Sequence, residues 1–143
     1  MAPLTAGRLT DEMADGDRSD KVGAASKIFA GAIVMRNATG FLIRGATATG
    51  SFGVGRAEAL ADNSAGADGA INCTYRRGVF RFANSSAGDL IAQADVGAKC
   101  WIVDDQTVAK TNGTNTRSPA GIVEAVDSLG VWVRMDEHLT RAT

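Results

Sequence analysis

Short apolar runs separated by turn-forming residues recur along the chain from residue 28 to residue 135. Apolar and polar positions alternate most clearly in AINCTYRRGVFRFA, residues 70–83, where Ile71, Cys73 and Tyr75 fall on one face of an extended strand. Gly78 interrupts this run, and a glycine at such a point permits a bulge or a kink. The period of two predicts a half-buried β-strand rather than a helix.

The other apolar runs are bounded by Gly, Asn, Asp or Ser and are also typical of strands. They predict strands over residues 28–36, 41–44, 52–60, 99–104, 107–110, 120–126 and 129–135. Residues 89–96 have weak helical spacing and are predicted to form either one short helix or a loop. About eight or nine short strands without crossover helices predict a mainly β fold, a small barrel or sandwich of antiparallel strands.

Residues 1–27 differ from the rest of the chain because their apolar residues are scattered among charges. Leu9 and Met13 are four residues apart and allow one helical turn, but no apolar stripe is sustained. We therefore predict an extended N-terminal arm over residues 1–27, flexible alone and ordered on a partner. The β core then spans residues 28–136, and residues 137–143 form a polar C-terminal tail.

Composition and charge narrow the classes of partner. The 143 residues fit one domain, and an apolar fraction of 45% is too high for global disorder. The net charge of −1 argues against nucleic acid and against a basic membrane anchor, and no apolar run reaches the length of a bilayer span. The first 30 residues contain several acidic residues and lack the apolar segment of a signal peptide, so we expect synthesis in a cytoplasm.

No arrangement of residues predicts catalysis, a metal site, a cofactor or a small-molecule substrate. The single histidine, His138, lies in the predicted tail, and Cys73 and Cys100 lack the short spacing of zinc ligands. The two cysteines are expected to be buried and reduced, although a disulfide between them stays open. Asp104 and Asp105 are adjacent, so on a strand they would face opposite ways, and they are expected to shape a turn. The protein is predicted not to be an enzyme.

Two further groups of residues are candidates for contact with other proteins. Arg76, Arg77 and Arg81 form a basic cluster that would either hold an acidic patch on a partner or lie on a solvated strand face. Trp101 and Trp132 are interpreted as core or subunit-contact residues; the alternative is a concave aromatic pocket that binds a ligand.

Five consecutive segments carry a resemblance to a known family. They are AGAIVMRNATGFLIRG, GVGRAEALADNSAGADGA, YRRGVFRFANSSAGD, VGAKCWIVDDQTVAK and SPAGIVEAVDSLGVWVRM. Over about residues 28–135 this order is similar to that of the small capsid decoration, or cement, proteins of tailed bacteriophages. The segments that resemble the family are packing and turn motifs.

The resemblance implies a β-barrel-like core that assembles as a homotrimer on the outer surface of a virion, after synthesis in the host bacterial cytoplasm. It implies the major capsid protein as the partner, reached by an N-terminal arm. The arm residues expected to bind the capsid are Leu4, Leu9, Met13, Arg18 and Lys21. The alternatives are another phage structural part, such as a tail or head-completion protein, and a small β-barrel module that binds a ligand.

Overall fold

A computed structural model describes residues 2–13 and 16–143 of the chain. In the described residues the strands are β1 (Asp17–Lys21), β2 (Ser26–Ile28), β3 (Ile33–Arg36), β4 (Leu42–Arg44), β5 (Phe52–Ala57), β6 (Ala61–Asn63), β7 (Asn72–Arg76), β8 (Gly78–Phe82), β9 (Lys99–Ile102), β10 (Val108–Ala109), β11 (Pro119–Asp127) and β12 (Gly130–Met135). One helix, α1 (Glu137–Ala142), follows them, and two short 3-10 turns precede β9. The prediction of a mainly β fold is confirmed.

The first sheet has the strand order β1-β7-β5-β3-β4, and its outer strands approach each other. An isolated parallel bridge joins Val22, directly after β1, to Leu42 of β4, and the Gly23 N–H donates to the Leu42 carbonyl at 2.8 Å. The sheet therefore curls until its outer strands are bridged at one point, which shortens the exposed edges that promote aggregation.

The second sheet has the order β10-β9-β11-β12-β8 and curls in the same way. A parallel bridge joins Ala83 to Thr107, and the Val108 N–H donates to the Ala83 carbonyl at 3.0 Å. A separate two-stranded ribbon of β2 and β6 completes the fold.

Two apolar cores fill the molecule, and β3 contributes to both. Val34 packs into the first core, while Ile33 and Met35 pack into the second. Alternate residues of a strand point to opposite faces, so β3 is buried on both sides. The first core contains Val22, Ile28, Ala32, Val34, Leu42, Val54, Ala57, Ala61, Cys73 and Tyr75. The second contains Ile33, Met35, Phe82, Ile91, Cys100, Ile102, Val108, Ala120, Val123, Val131, Val133 and Met135.

The two sheets come very close at Gly53 of β5. A Cβ added at Gly53 would lie 2.3 Å from the carbonyl oxygen of Ala120 in β11. Only a residue without a side chain allows the two backbones to approach this closely. Cys73 and Cys100 lie in different cores with no disulfide between them, and the prediction that both are buried is confirmed.

The predicted arm over residues 1–27 is too long, because its second half belongs to the β body. Strand β1 pairs with β7 along its whole length, Val22 is fully buried, and β2 begins before residue 28. The sequence DRSDK did not predict a strand because it has no apolar side chain. In the structure its residues alternate between exposed and half-buried. The described part of the arm is residues 2–13; residues 1, 14 and 15 of the predicted arm lie outside the described residues.

The predicted polar tail over residues 137–143 is also wrong, because helix α1 occupies most of it. The Asp136 carboxylate caps the helix by accepting from the backbone N–H groups of His138 and Leu139 at 3.0 and 3.3 Å. Glu137 and Thr140, three residues apart, are the buried residues of the helix. Both are polar, so the buried face left no apolar periodicity in the sequence.

Three of the predicted strands differ in detail. The run 28–36 is broken by a turn before β3, and the run 52–60 ends as a strand at Ala57. The run 70–83 divides at Gly78, which has a φ of 150°, into β7 and β8. These two strands enter different sheets, so the break is a passage between sheets rather than a bulge within one strand. Two 3-10 turns occupy much of 89–96.

Candidate functional site

The arm presents its apolar side chains to solvent. Leu4 and Met13 are each 72% exposed and Leu9 is 94% exposed. No described residue of the arm belongs to a strand or a helix. The other two residues predicted for the arm, Arg18 and Lys21, lie in β1, where they pair with Tyr75 and Asn72 of β7. The arm candidates thus divide into three exposed apolar residues, of which Met13 also contacts Arg18, and two residues of the body.

A groove opens where the arm joins the body, and we call it the arginine groove. It has a volume of about 560 Å³, which is within the range of ligand pockets. Strands β1, β3, β5 and β7 and helix α1 all contribute to it. Its lining residues are Met13, Arg18, Ser19, Asp20, Arg36, Phe52, Tyr75, Arg77, Glu137, His138 and Arg141.

Glu137 is the centre of the groove floor. Its carboxylate accepts a hydrogen bond from the Tyr75 hydroxyl at 2.8 Å and pairs with Arg36 at 3.2 Å and Arg77 at 3.4 Å. Arg36 also donates to the Asp20 carboxylate at 2.7 Å. A buried carboxylate is stable only when its lone pairs are satisfied in this way. The network fixes helix α1 to both β3 and β7.

Protonation in the network follows from these contacts. Burial raises the pKa of Tyr75 to about 12, and the hydrogen bond to Glu137 adds to this effect. Partial burial on its own would raise the pKa of Asp20, but the hydrogen bond from Arg36, the backbone hydrogen bond from Lys21 and the charge of Arg36 together outweigh it and hold that pKa below its ordinary value. Tyr75 is therefore a neutral hydrogen-bond donor and Asp20 a carboxylate near neutral pH. In these protonation states Tyr75 and Asp20 keep the hydrogen bonds that fix the shape of the groove floor.

The rim of the groove carries two arginines of a different kind. Arg141 of α1 lies over the Phe52 ring at 5.2 Å, and the Arg18 guanidinium donates to the Met13 sulfur. Neither arginine forms an ion pair with a carboxylate in residues 2–13 or 16–143. The rim therefore presents cationic side chains beside an aromatic ring and a thioether.

The predicted basic cluster does not form one patch. Arg76 pairs with Asp17 at 2.6 Å, and Arg81 with Asp127 at 3.5 Å, while Arg77 turns toward Glu137 in the groove. Arg76 and Arg81 belong to different sheets. Each of the three arginines pairs with a carboxylate of this chain. Contact of Arg76, Arg77 and Arg81 with an acidic partner stays a prediction.

The two tryptophans lie on the outer side of the second sheet and are partly exposed, so the core interpretation is wrong. Lys99 lies over the Trp101 ring at 5.0 Å and Arg81 over the Trp132 ring at 5.3 Å. The Trp132 indole N–H donates to Asp127 at 2.9 Å. Neither tryptophan lines the arginine groove or the two smaller grooves of about 390 and 250 Å³. Subunit contact through this face stays a prediction.

The remaining chemistry candidates have structural roles. The Asp104 carboxylate accepts from the Gln106 backbone N–H at 2.9 Å, which confirms that it shapes the turn. Within the described residues, no group of three or more His, Cys, Asp or Glu side chains is placed to hold a metal ion. In the same part of the chain, no helix has the length and hydropathy needed to cross a membrane.

Sequence reasoning missed three residues that define the groove, Arg36, Glu137 and Arg141. Arg36 ends an apolar run, and the other two lie in what reads as a polar tail. The Asp136 cap followed by EHLTR was the one local signal of a helix there. Comparisons of this chain with protein-family models, with curated proteins and with solved structures found no match.

Proposed function

We propose that this chain is a capsid decoration protein, which binds the outer surface of a bacteriophage head and stabilises the assembled shell. The observation that carries the proposal is the arm, which leaves a closed β body with Leu4, Leu9 and Met13 exposed. Burying one such side chain on a partner contributes about 1.5–3 kcal/mol. An arm that its own body does not cover is suited to lie on another protein.

The body and the arm have different tasks in this proposal. The body presents few free sheet edges, because both five-stranded sheets curl until their outer strands meet. The protein therefore stays soluble while it carries an apolar arm. On the shell, the arm lies across the major capsid protein, where main-chain hydrogen bonds and the leucine side chains supply affinity.

Stabilisation follows from mass action. A protein that binds the assembled shell but not its separated subunits shifts the equilibrium toward the shell by RT ln(1 + [L]/Kd) for each site. Because a shell repeats its sites, even a modest contribution per copy is multiplied. We also propose a homotrimer, in which the outer side of the second sheet, with Trp101 and Trp132, is a subunit contact. Three arms on one assembly would bind the shell at a higher effective concentration.

Co-sedimentation with expanded, emptied heads of the phage or prophage that encodes the chain tests this proposal. Replacing both arm leucines (Leu4→Ser with Leu9→Ser) should weaken binding by at least about tenfold, because two buried apolar side chains are lost. Leu129→Ser is the matched control, since Leu129 is 72% exposed in the turn between β11 and β12. Unchanged binding by the double variant, or an equal loss with the control, would count against the arm.

A further inference from the structure

We infer that the arginine groove is a second binding site, which takes an extended acidic segment of a partner protein. Among the described residues, four arginines and two carboxylates line the groove, which is a net positive charge of two with histidine counted as neutral. This local excess contrasts with the net charge of −1 for the whole chain. The site does not depend on the arm leucines or on the identity of the partner.

The division of charge within the groove shows which cations are available. Arg36 and Arg77 are engaged by the floor carboxylates, Asp20 and Glu137. The excess therefore resides in Arg18 and Arg141 on the rim, which form no ion pair within the described residues. The Arg18 Nε is in addition buried without a hydrogen-bond acceptor. A carboxylate at the rim would accept charge-assisted hydrogen bonds from the terminal N–H groups of Arg18 and Arg141.

The apolar part of the lining favours a peptide over a free anion. Phe52 and Met13 stand beside the two rim arginines, so a ligand that carries a carboxylate and a neighbouring aliphatic side chain can contact both. A phosphate ion would leave the ring and the thioether uncovered. An extended chain alternates its side chains, and acidic and apolar residues close together match this mixed surface.

The chain's own arm is the competing occupant. Asp11 and Glu12 directly precede Met13, yet both are exposed, and neither forms an ion pair with a described residue. The arm thus enters the groove with its thioether and leaves the rim arginines to another molecule. The arm and the groove are continuous at Met13, which allows one partner to engage both surfaces.

Titration of the ¹⁵N-labelled full chain with two short peptides tests this inference. The probes are the acetylated and amidated peptide GLDELG and its neutral counterpart GLNQLG. We expect GLDELG to shift the backbone resonances of Arg18, His138 and Arg141, and to bind at least about tenfold more tightly than GLNQLG. Inorganic phosphate should bind at least about tenfold more weakly than GLDELG.

Substitutions of the two rim arginines test whether the peptide binds in the arginine groove. Arg18→Gln with Arg141→Gln should remove the preference for GLDELG, while Arg44→Gln, an exposed arginine outside the groove, should retain it. If the glutamine variant does not fold, Arg18→Lys with Arg141→Lys, which keeps both charges, should retain the preference for the acidic peptide.

Four results would overturn the inference: equal binding of both peptides, a preference that survives the glutamine variant, a lost preference in a folded lysine variant, or phosphate binding as tightly as GLDELG. Binding that appears only after Asp11→Asn with Glu12→Gln would assign the groove to the chain's own arm. Shell binding through the arm leucines is measured separately, so either proposal can fail alone.

Discussion

At the scale of single residues, the ion pairs of Glu137 and Glu124 differ in burial, and this difference separates a structural pair from a surface pair. Its side chain is 8% exposed and contacts Arg36, Arg77 and Tyr75. The Glu124 side chain is 44% exposed and pairs with Arg134 at 3.0 Å. Burial, rather than distance, decides how much each pair matters, because exposed pairs are screened by water and a broken buried pair leaves charge uncompensated.

Glu137→Gln should lower the free energy of unfolding by about 3 kcal/mol, since two arginines lose their buried carboxylate. Glu124→Gln should lower it far less, because water screens this exposed pair. Urea unfolding followed by circular dichroism measures both. Similar losses for the two variants would show that the groove floor does not anchor helix α1.

Acid should destabilise the protein, in part through Asp20. Its folded-state pKa is below the unfolded value, because the contacts with Arg36 and the backbone hydrogen bond from Lys21 together outweigh the opposing effect of burial. This contribution to stability is therefore present above the unfolded pKa of about 3.9 and is lost as the pH falls through the folded pKa. In urea titrations between neutral pH and about pH 2.5, Asp20→Asn should show a shallower loss than the parent chain. Parallel curves would contradict this role of Asp20.

The two thiols should be inert in the folded state. Burial raises the pKa of Cys73 to about 11 and that of Cys100 to about 12. Since the thiolate is the reactive form, a disulfide reagent should label the native protein on the order of a hundredfold more slowly than the urea-unfolded chain. Rapid native labelling of either cysteine would mean that its core opens readily.

At the scale of elements, the contact of β5 with β11 joins the two sheets. Gly53→Ala would place a methyl group 2.3 Å from the Ala120 carbonyl oxygen, so the sheets must separate. We expect a loss of about 2–3 kcal/mol, measured by thermal or urea unfolding. At Gly88 an added Cβ meets nothing within 4 Å, so Gly88→Ala should be nearly neutral. A neutral Gly53→Ala would show that the sheets are not in close contact there.

The sequence predicted strands well where one face is apolar and failed where the buried residues are polar. Val131, Val133 and Met135 of β12 are all buried, as their alternation predicts. Helix α1 was missed because it buries Glu137 and Thr140. Local sequence patterns also could not predict which strands pair, since β7 and β8 are adjacent in sequence yet belong to different sheets.

The candidate site divides in the same way. The exposed arm leucines were predicted because apolar residues scattered among charges cannot form a core-facing stripe. The arginine groove was not, because it assembles from β1, β3, β5, β7 and α1, and its charges are distant in sequence. The Arg76, Arg77 and Arg81 cluster shows the converse, since neighbours in sequence point to different surfaces.

At the scale of the whole molecule, a body of two curled sheets carries an exposed apolar arm and, at the root of the arm, a cationic groove. The proposed decoration function rests on these features together with the resemblance of residues 28–135 to capsid decoration proteins.

Electron microscopy of heads with and without the protein tests the decoration proposal most directly. We expect added density for a small β body at repeated positions on the outer surface, with an arm running from each copy across a capsid subunit. The Leu4→Ser with Leu9→Ser variant should lower the occupancy of those positions at the same protein concentration. Heads that show no added density with the parent chain, or density at a tail or portal instead, would contradict the proposal.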